Sequence, residues 1–140
     1  MIMRYAPYHA KAAAADLGAA GQEQADFGYL KPALDVADGL GRVMNNKKLY
    51  FRLLRSFSGL KMAEDIGVAV GDGDHGHVQQ AAHALKGVAA NLGLRELMSV
   101  SLKIEARAKG LEAAEDLLPG LKTAVDAAEE AIECLLAKEE

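Results

Sequence analysis

The segment from Asp74 to Gly93 restricts the possible folds more than any other part of the chain. At ~100° per residue, Val78, Ala81, Leu85, Val88, Ala89 and Leu92 share one helical face, and a stripe of that width must be buried against other elements. Both ends are marked. Asp74 carries a short carboxylate able to accept the orphan backbone donors of the turn that follows, and Gly93 can adopt the left-handed conformation that closes a helix. The opposite face places His83 among Gly76, Gln79, Gln80, Lys86, Gly87 and Ala90, all small or polar. One apolar face needs partners of the same kind.

The rest of the chain supplies them. Leu49, Phe51, Leu53, Leu54 and Phe57 include the i+3 and i+4 intervals of an amphipathic helix, with Lys47, Lys48, Arg52 and Arg55 left for the outside and Gly59 to end it. A second stretch, Lys61 to Val70, is closed by Gly71-Asp72-Gly73-Asp74. After Gly93, a helix from about Leu94 to Ala108 buries Leu94, Leu97, Ser101, Ile104 and Ala108 and ends at Gly110. With only Gly93 at the joint, it should fold back antiparallel on its predecessor. The last helix, about Leu111 to Lys138, uses Leu117, Leu121, Val125, Ala128, Ile132 and Leu135, and Pro119-Gly120 within it predicts a kink or a break. Towards the N-terminus, Pro32 opens a short helix or irregular segment containing Leu34, Val36 and Leu40, limited by Gly39 and Gly41. Residues 1–31 differ in composition, with an alanine tract from Ala10 to Ala20 and a loose stretch from Gly21 to Gly28. They read as a helical extension, with His9 at its surface.

Composition agrees with this pattern. At 140 residues and 51% hydrophobic content the chain is one domain's worth, able to bury roughly two-thirds of its unfolded surface without staples. Much of the apolar content is alanine, which favours helices and lets them approach closely. The expected fold is all-α: an up-down antiparallel four-helix bundle over residues 32–140, with an additional N-terminal helix. A net charge of -4 excludes a nucleic-acid partner, which would need clustered Lys and Arg. Cys134 is the only cysteine, so no intrachain disulfide can form, and among Ile132, Leu135 and Leu136 it reads as a small buried hydrophobe. No run of ~18 apolar residues or signal-like N-terminus is present, so a cytoplasmic protein with no membrane partner is expected.

The polar face of the Asp74–Gly93 helix has the parts needed to carry a phosphoryl group. A neutral imidazole is nucleophilic near pH 7, Lys86 at i+3 can balance the charge on phosphoryl oxygens, and Gly87 at i+4 removes a side chain that would shield the ring. A surface histidine with an incidental lysine and glycine has the same spacing, so periodicity leaves both readings open. The run from Ala82 to Gly93, with its core His83-Ala84-Leu85-Lys86-Gly87, closely resembles the signature of histidine-containing phosphotransfer (HPt) domains. In that family an H-x-L-K-G core is followed by small residues, an apolar residue and a glycine. Asp74 stands where the family often has an aspartate, Leu49 to Phe57 resemble its earlier leucine- and phenylalanine-rich helix, and Ile104-Glu105 resemble its Leu-Glu pair. The likeness spans roughly residues 35 to 137.

What the resemblance implies is a bundle whose exposed histidine takes phosphate from the aspartyl phosphate of one response-regulator receiver domain, such as that of a hybrid histidine kinase, and passes it to another. His83 would be the phospho-acceptor, Lys86 its charge partner, Gly87 the clearance residue, and Glu105 the group that orients the other ring nitrogen. Gly76, Gln79, Gln80 and Ala90 would lie against the partner. Independently of the resemblance, the helical wheel sets Glu105 at the border of its helix's apolar face, from which it can reach the preceding helix. A solvated Glu105 paired with Arg107 or Lys109 is the other reading. The resemblance implies no cofactor of the protein's own, the magnesium ion belonging to the receiver, and a monomer is expected because the histidine must stay accessible. No phosphate-binding glycine loop or strand pattern points to a kinase. Two other readings remain: a helical adaptor that docks without receiving phosphate, and a metal-binding helical protein using Asp72, Asp74, His75 and His77. The latter spacing fits neither a calcium loop nor a paired-histidine zinc site.

Overall fold

The computed structural model of the protein describes residues 33–139, so the helix expected within residues 1–31 lies outside the described residues. Six α-helices follow: α1 (Val36–Arg42), α2 (Lys47–Arg55), α3 (Gly59–Gly71), α4 (His75–Leu92), α5 (Arg95–Lys109) and α6 (Leu118–Glu139). No strand occurs among the described residues. No helix there is long and apolar enough to cross a membrane.

Local chemistry sets the ends. Asp35, Asn46 and Asp74 each accept a backbone N–H from three residues on, from Asp38, Leu49 and His77, at 3.1, 3.0 and 3.1 Å. Gly93 closes α4 with φ of 83°. The expected last helix is corrected in one respect. Leu111 has φ of 58°, a short 3-10 turn covers Glu115–Leu117, and α6 begins at Leu118. Pro119 therefore sits in the first turn, where its missing N–H has no intrahelical partner to lose, and it starts the helix instead of kinking it.

Helices α3 to α6 form a ring in which each packs against its two neighbours while the diagonal pairs scarcely touch. Residues meet across each turn: Asp65 with His77, His83 with Glu105, and Val100 beside Gly120. The core runs through the ring, with Ile66, Leu85, Leu97, Ile104, Leu121, Val125 and Leu135 all almost wholly buried. On α4 the buried stripe is Val78, Ala82, Leu85, Ala89 and Leu92; Ala81 and Val88 lie half-buried at its edge. Because α4 is flanked by both α3 and α5, the centre of its stripe shifts by one position.

The short helices α1 and α2 cover one end of the ring. Tyr50, which the periodicity did not single out, is fully buried and donates its hydroxyl to the Leu92 carbonyl at 2.9 Å. Its burial, with Asp35 and Asp38 nearby, pushes the phenol well above its ordinary pKa. Gly39 does not limit α1 but lies inside it, because a Cβ there would run into the Tyr50 ring and approach the Leu92 carbonyl to 2.7 Å. Cys134 is half-buried, and burial together with Glu130 and Glu133 raises its thiol pKa, which suits a packing role.

Candidate functional site

The seam between α4 and α5 brings an imidazole, a carboxylate and two ammonium groups together. His83 projects from α4 with 67% of its side chain exposed, whereas Glu105 on α5 is only 4% exposed. Glu105 sits between Ile104 and Ala108, both buried, so its carboxylate is carried into the seam by the packing of its own helix. There Oε2 lies 2.8 Å from His83 Nδ1 and Oε1 lies 2.8 Å from Lys86 Nζ. Lys109, one turn further along α5, brings its Nζ to 3.8 Å from Oε2.

These contacts settle the charge of the carboxylate. Lys86 does most to hold the Glu105 pKa below its ordinary value; burial opposes this, and the His83 hydrogen bond adds to the lowering. An ionised carboxylate only accepts, so His83 donates its Nδ1–H to Glu105, and Nε2 is the ring nitrogen that this bond leaves unused. The ring is thus pinned on its buried side and open on its exposed side.

The expectation for Glu105 therefore agrees with the geometry, and part of the competing one does too. Lys109 does reach Glu105, while Arg107 turns to Asp116 with contacts of 2.7 and 3.0 Å and to the Ala113 carbonyl at 2.8 Å. Lys86 needs correction. Its periodicity put it on the open polar face, yet its side chain is 28% exposed and its ammonium is engaged with Glu105. Lysine's long stem lets the head group reach back to a buried carboxylate that a helical wheel does not show. Lys109 was not singled out as a member of the site; its signal was the i, i+4 Glu-to-Lys spacing from Glu105.

The remaining face residues stand where the wheel places them. Gly76, Gln80 and Gly87 are exposed, and Gln79 and Ala90 half-exposed. A Cβ at Gly87 would meet nothing within 4 Å. The Asp72–His77 cluster does not converge: Asp74 caps the His77 N–H, and His77 Nε2 pairs with Asp65 at 3.2 Å. Among the described residues no three His, Cys, Asp or Glu side chains are placed to hold a metal ion. A cavity of about 310 Å³ lies against Val70, His75, Val78, Leu111 and Glu112, and none of the residues around Glu105 lines it.

An all-helical bundle presenting an exposed histidine held by a buried carboxylate defines a class of protein by its fold and by this surface pair. The sequence model of the Hpt domain family matches residues 58–131, more than half of the chain. The chain belongs to that family, whose members are phosphotransfer carriers, and this supports a phosphotransfer role in two-component signalling. Its fold is similar to the crystal structure of the HPT domain from an Hpt sensor hybrid histidine kinase of Shewanella. The TM-score is 0.65 at 23% identity, over 78% of this chain and 97% of that one. No curated protein matches.

Proposed function

We propose that the protein is a phosphorelay intermediate in which His83 accepts a phosphoryl group from the phospho-aspartate of a receiver domain and passes it to a second receiver. One observation carries this reading: an exposed imidazole whose Nδ1 is held at 2.8 Å by a buried carboxylate. In the forward step the Nε2 lone pair forms a bond to phosphorus while the bond from phosphorus to the aspartyl oxygen breaks, and the receiver's carboxylate leaves with that electron pair. The ring then keeps its Nδ1 proton and bears a positive charge, which Glu105 is positioned to balance. Lys86 keeps Glu105 ionised and sets an ammonium one turn from the ring. Gly87 leaves space for the partner's approach, and Gly76, Gln79, Gln80 and Ala90 lie against it. The receiver brings the magnesium ion, and the protein works as a cytoplasmic monomer without a cofactor of its own. The domain that does this is residues 32–140, with 1–31 as an extension.

Incubation with a phosphorylated receiver domain tests the proposal. Label that is acid-labile and alkali-stable should appear on the chain, and His83→Gln should fold and take up none. Variants at His9, His75 and His77 should label like the parent. A His83→Gln chain that still accepts label would overturn the assignment, and a parent chain that binds receiver without label would identify a docking adaptor.

A further inference from the structure

The cluster around Glu105 contains one cation more than orientation of His83 requires. Lys86 and Lys109 approach the same carboxylate on different terms. Lys86 is held at 2.8 Å and 28% exposed, whereas Lys109 stands at 3.8 Å with 60% of its side chain exposed. Lys86 takes Oε1, which His83 does not use; Lys109 approaches Oε2, the oxygen that accepts the His83 Nδ1–H. Its ammonium is therefore linked to the imidazole through one shared carboxylate oxygen, by a 3.8 Å contact and a 2.8 Å one, on a solvated stem from the last turn of α5. The other basic residue of that turn, Arg107, is committed to Asp116 and the Ala113 carbonyl. When a phosphoryl group adds negative charge to this surface, a lysine held tightly by a buried carboxylate has little freedom to meet it. A loosely held, solvated one has more.

We propose that Lys109 is a second charge partner of the phosphoryl group on His83: it leaves its long contact with Glu105 to face the phosphoryl oxygens while Lys86 stays with the carboxylate. This rests on His83 being the phospho-acceptor. The competing role for Lys109 is structural, a cation at a helix C-terminus paired with a glutamate one turn back, which acts on stability alone.

Phosphorylation by phosphoramidate separates the two, because the small donor needs no docking surface. The Nε2 lone pair bonds to phosphorus as the phosphorus–nitrogen bond breaks, and ammonia leaves with its electron pair. At low ionic strength Lys109→Ala should label about fivefold more slowly than the parent chain, the rate equivalent of one charge contact in water. Lys109→Arg should restore the rate. The deficit should shrink in ~1 M salt, where charges are screened within about 3 Å. A Lys109→Ala chain that melts lower but labels at the parent rate would overturn the inference and leave the structural role. Failure of the parent chain to label, or labelling of His83→Gln, would overturn the phosphotransfer reading as well, so the two failures are distinguishable.

Discussion

Helix α4 is gripped by buried polar groups at two places, and they are built differently. At its C-terminal end is a clamp: the Asp35 N–H donates to the Gly93 carbonyl at 2.7 Å, Tyr50 donates to the Leu92 carbonyl, and Gly39 and Gly93 let two backbones and the Tyr50 ring meet. Tyr50 is wholly buried and Asp35 5% exposed, with Arg95 reaching its Oδ2 at 3.1 Å. Midway along the helix, Glu105 is equally buried, but each of its partners reaches it from a side chain that is itself partly or largely exposed. A buried cluster whose hydrogen bonds run mainly to backbone groups, with Arg95 at its exposed rim, contributes to stability and specificity. One that holds a single buried charge against solvated donors keeps those donors in reach of an incoming group. The first arrangement fixes the end of the bundle, and the second equips its surface.

The largest effect should come from the clamp. Gly93→Ala places a methyl group on a backbone with φ of 83° and drives it into the Asp35 carbonyl. It should cost about 2–4 kcal/mol, combining left-handed strain with the clash. Thermal melting measures it, and a loss below about 1 kcal/mol would mean that α1 shifts without penalty and the clamp is loose.

At the seam the expected losses are smaller and depend on pH. Lys86→Ala removes the nearest cation from a buried carboxylate and should cost about 1–2 kcal/mol at neutral pH, more than the ~0.5 kcal/mol typical of a surface site. The sign in acid follows from the lowered Glu105 pKa. A carboxylate held below its ordinary value stabilises the fold fully above that value, and the contribution is lost as pH falls through the lowered one. The difference in melting temperature between the parent and Lys86→Ala should therefore narrow as the pH drops through the carboxylate range. A gap that is constant from neutral pH to acid would show that Lys86 acts by packing alone.

The smallest effect should be stabilising. Gly87→Ala enters open space and should strengthen α4 by up to ~1 kcal/mol while leaving phosphorylation by a receiver unchanged. Gly87→Leu should fold equally well yet slow transfer, because the receiver's phosphorus must come within about 3–3.5 Å of Nε2 and a long side chain one turn away stands in that approach. A leucine variant with the parent's transfer rate would remove the clearance argument and make this face no different from any other solvated helix surface.

Much of the site was legible because it depends on contacts a few residues apart. Asp74 and Gly93 bound α4 by capping chemistry that acts over one turn. His83 lies opposite an apolar stripe and must face outward, and Glu105 sits at the edge of its own stripe. The start of α6 was misplaced because leucines at helical spacing extend through Leu117, while the left-handed Leu111 and the 3-10 turn are settled by the loop's own contacts, including Arg107 with the Ala113 carbonyl. Tyr50 and Gly39 were unreadable as a pair because they meet only when α1 and α2 fold over the end of α4.

The sequence by itself determined the helical class, the limits of α4, the outward histidine and the absence of a glycine loop for nucleotide phosphates, since each follows from periodicity or from local backbone chemistry. Only the tertiary structure decided which charges Glu105 holds, that Lys86 is engaged while Lys109 stands off, and that Asp35, Gly39, Tyr50 and Gly93 form one clamp. Those outcomes depend on distances between helices. Side chains of several ångströms' reach select their partners only after packing has set which helices lie side by side and how deeply each carboxylate is buried.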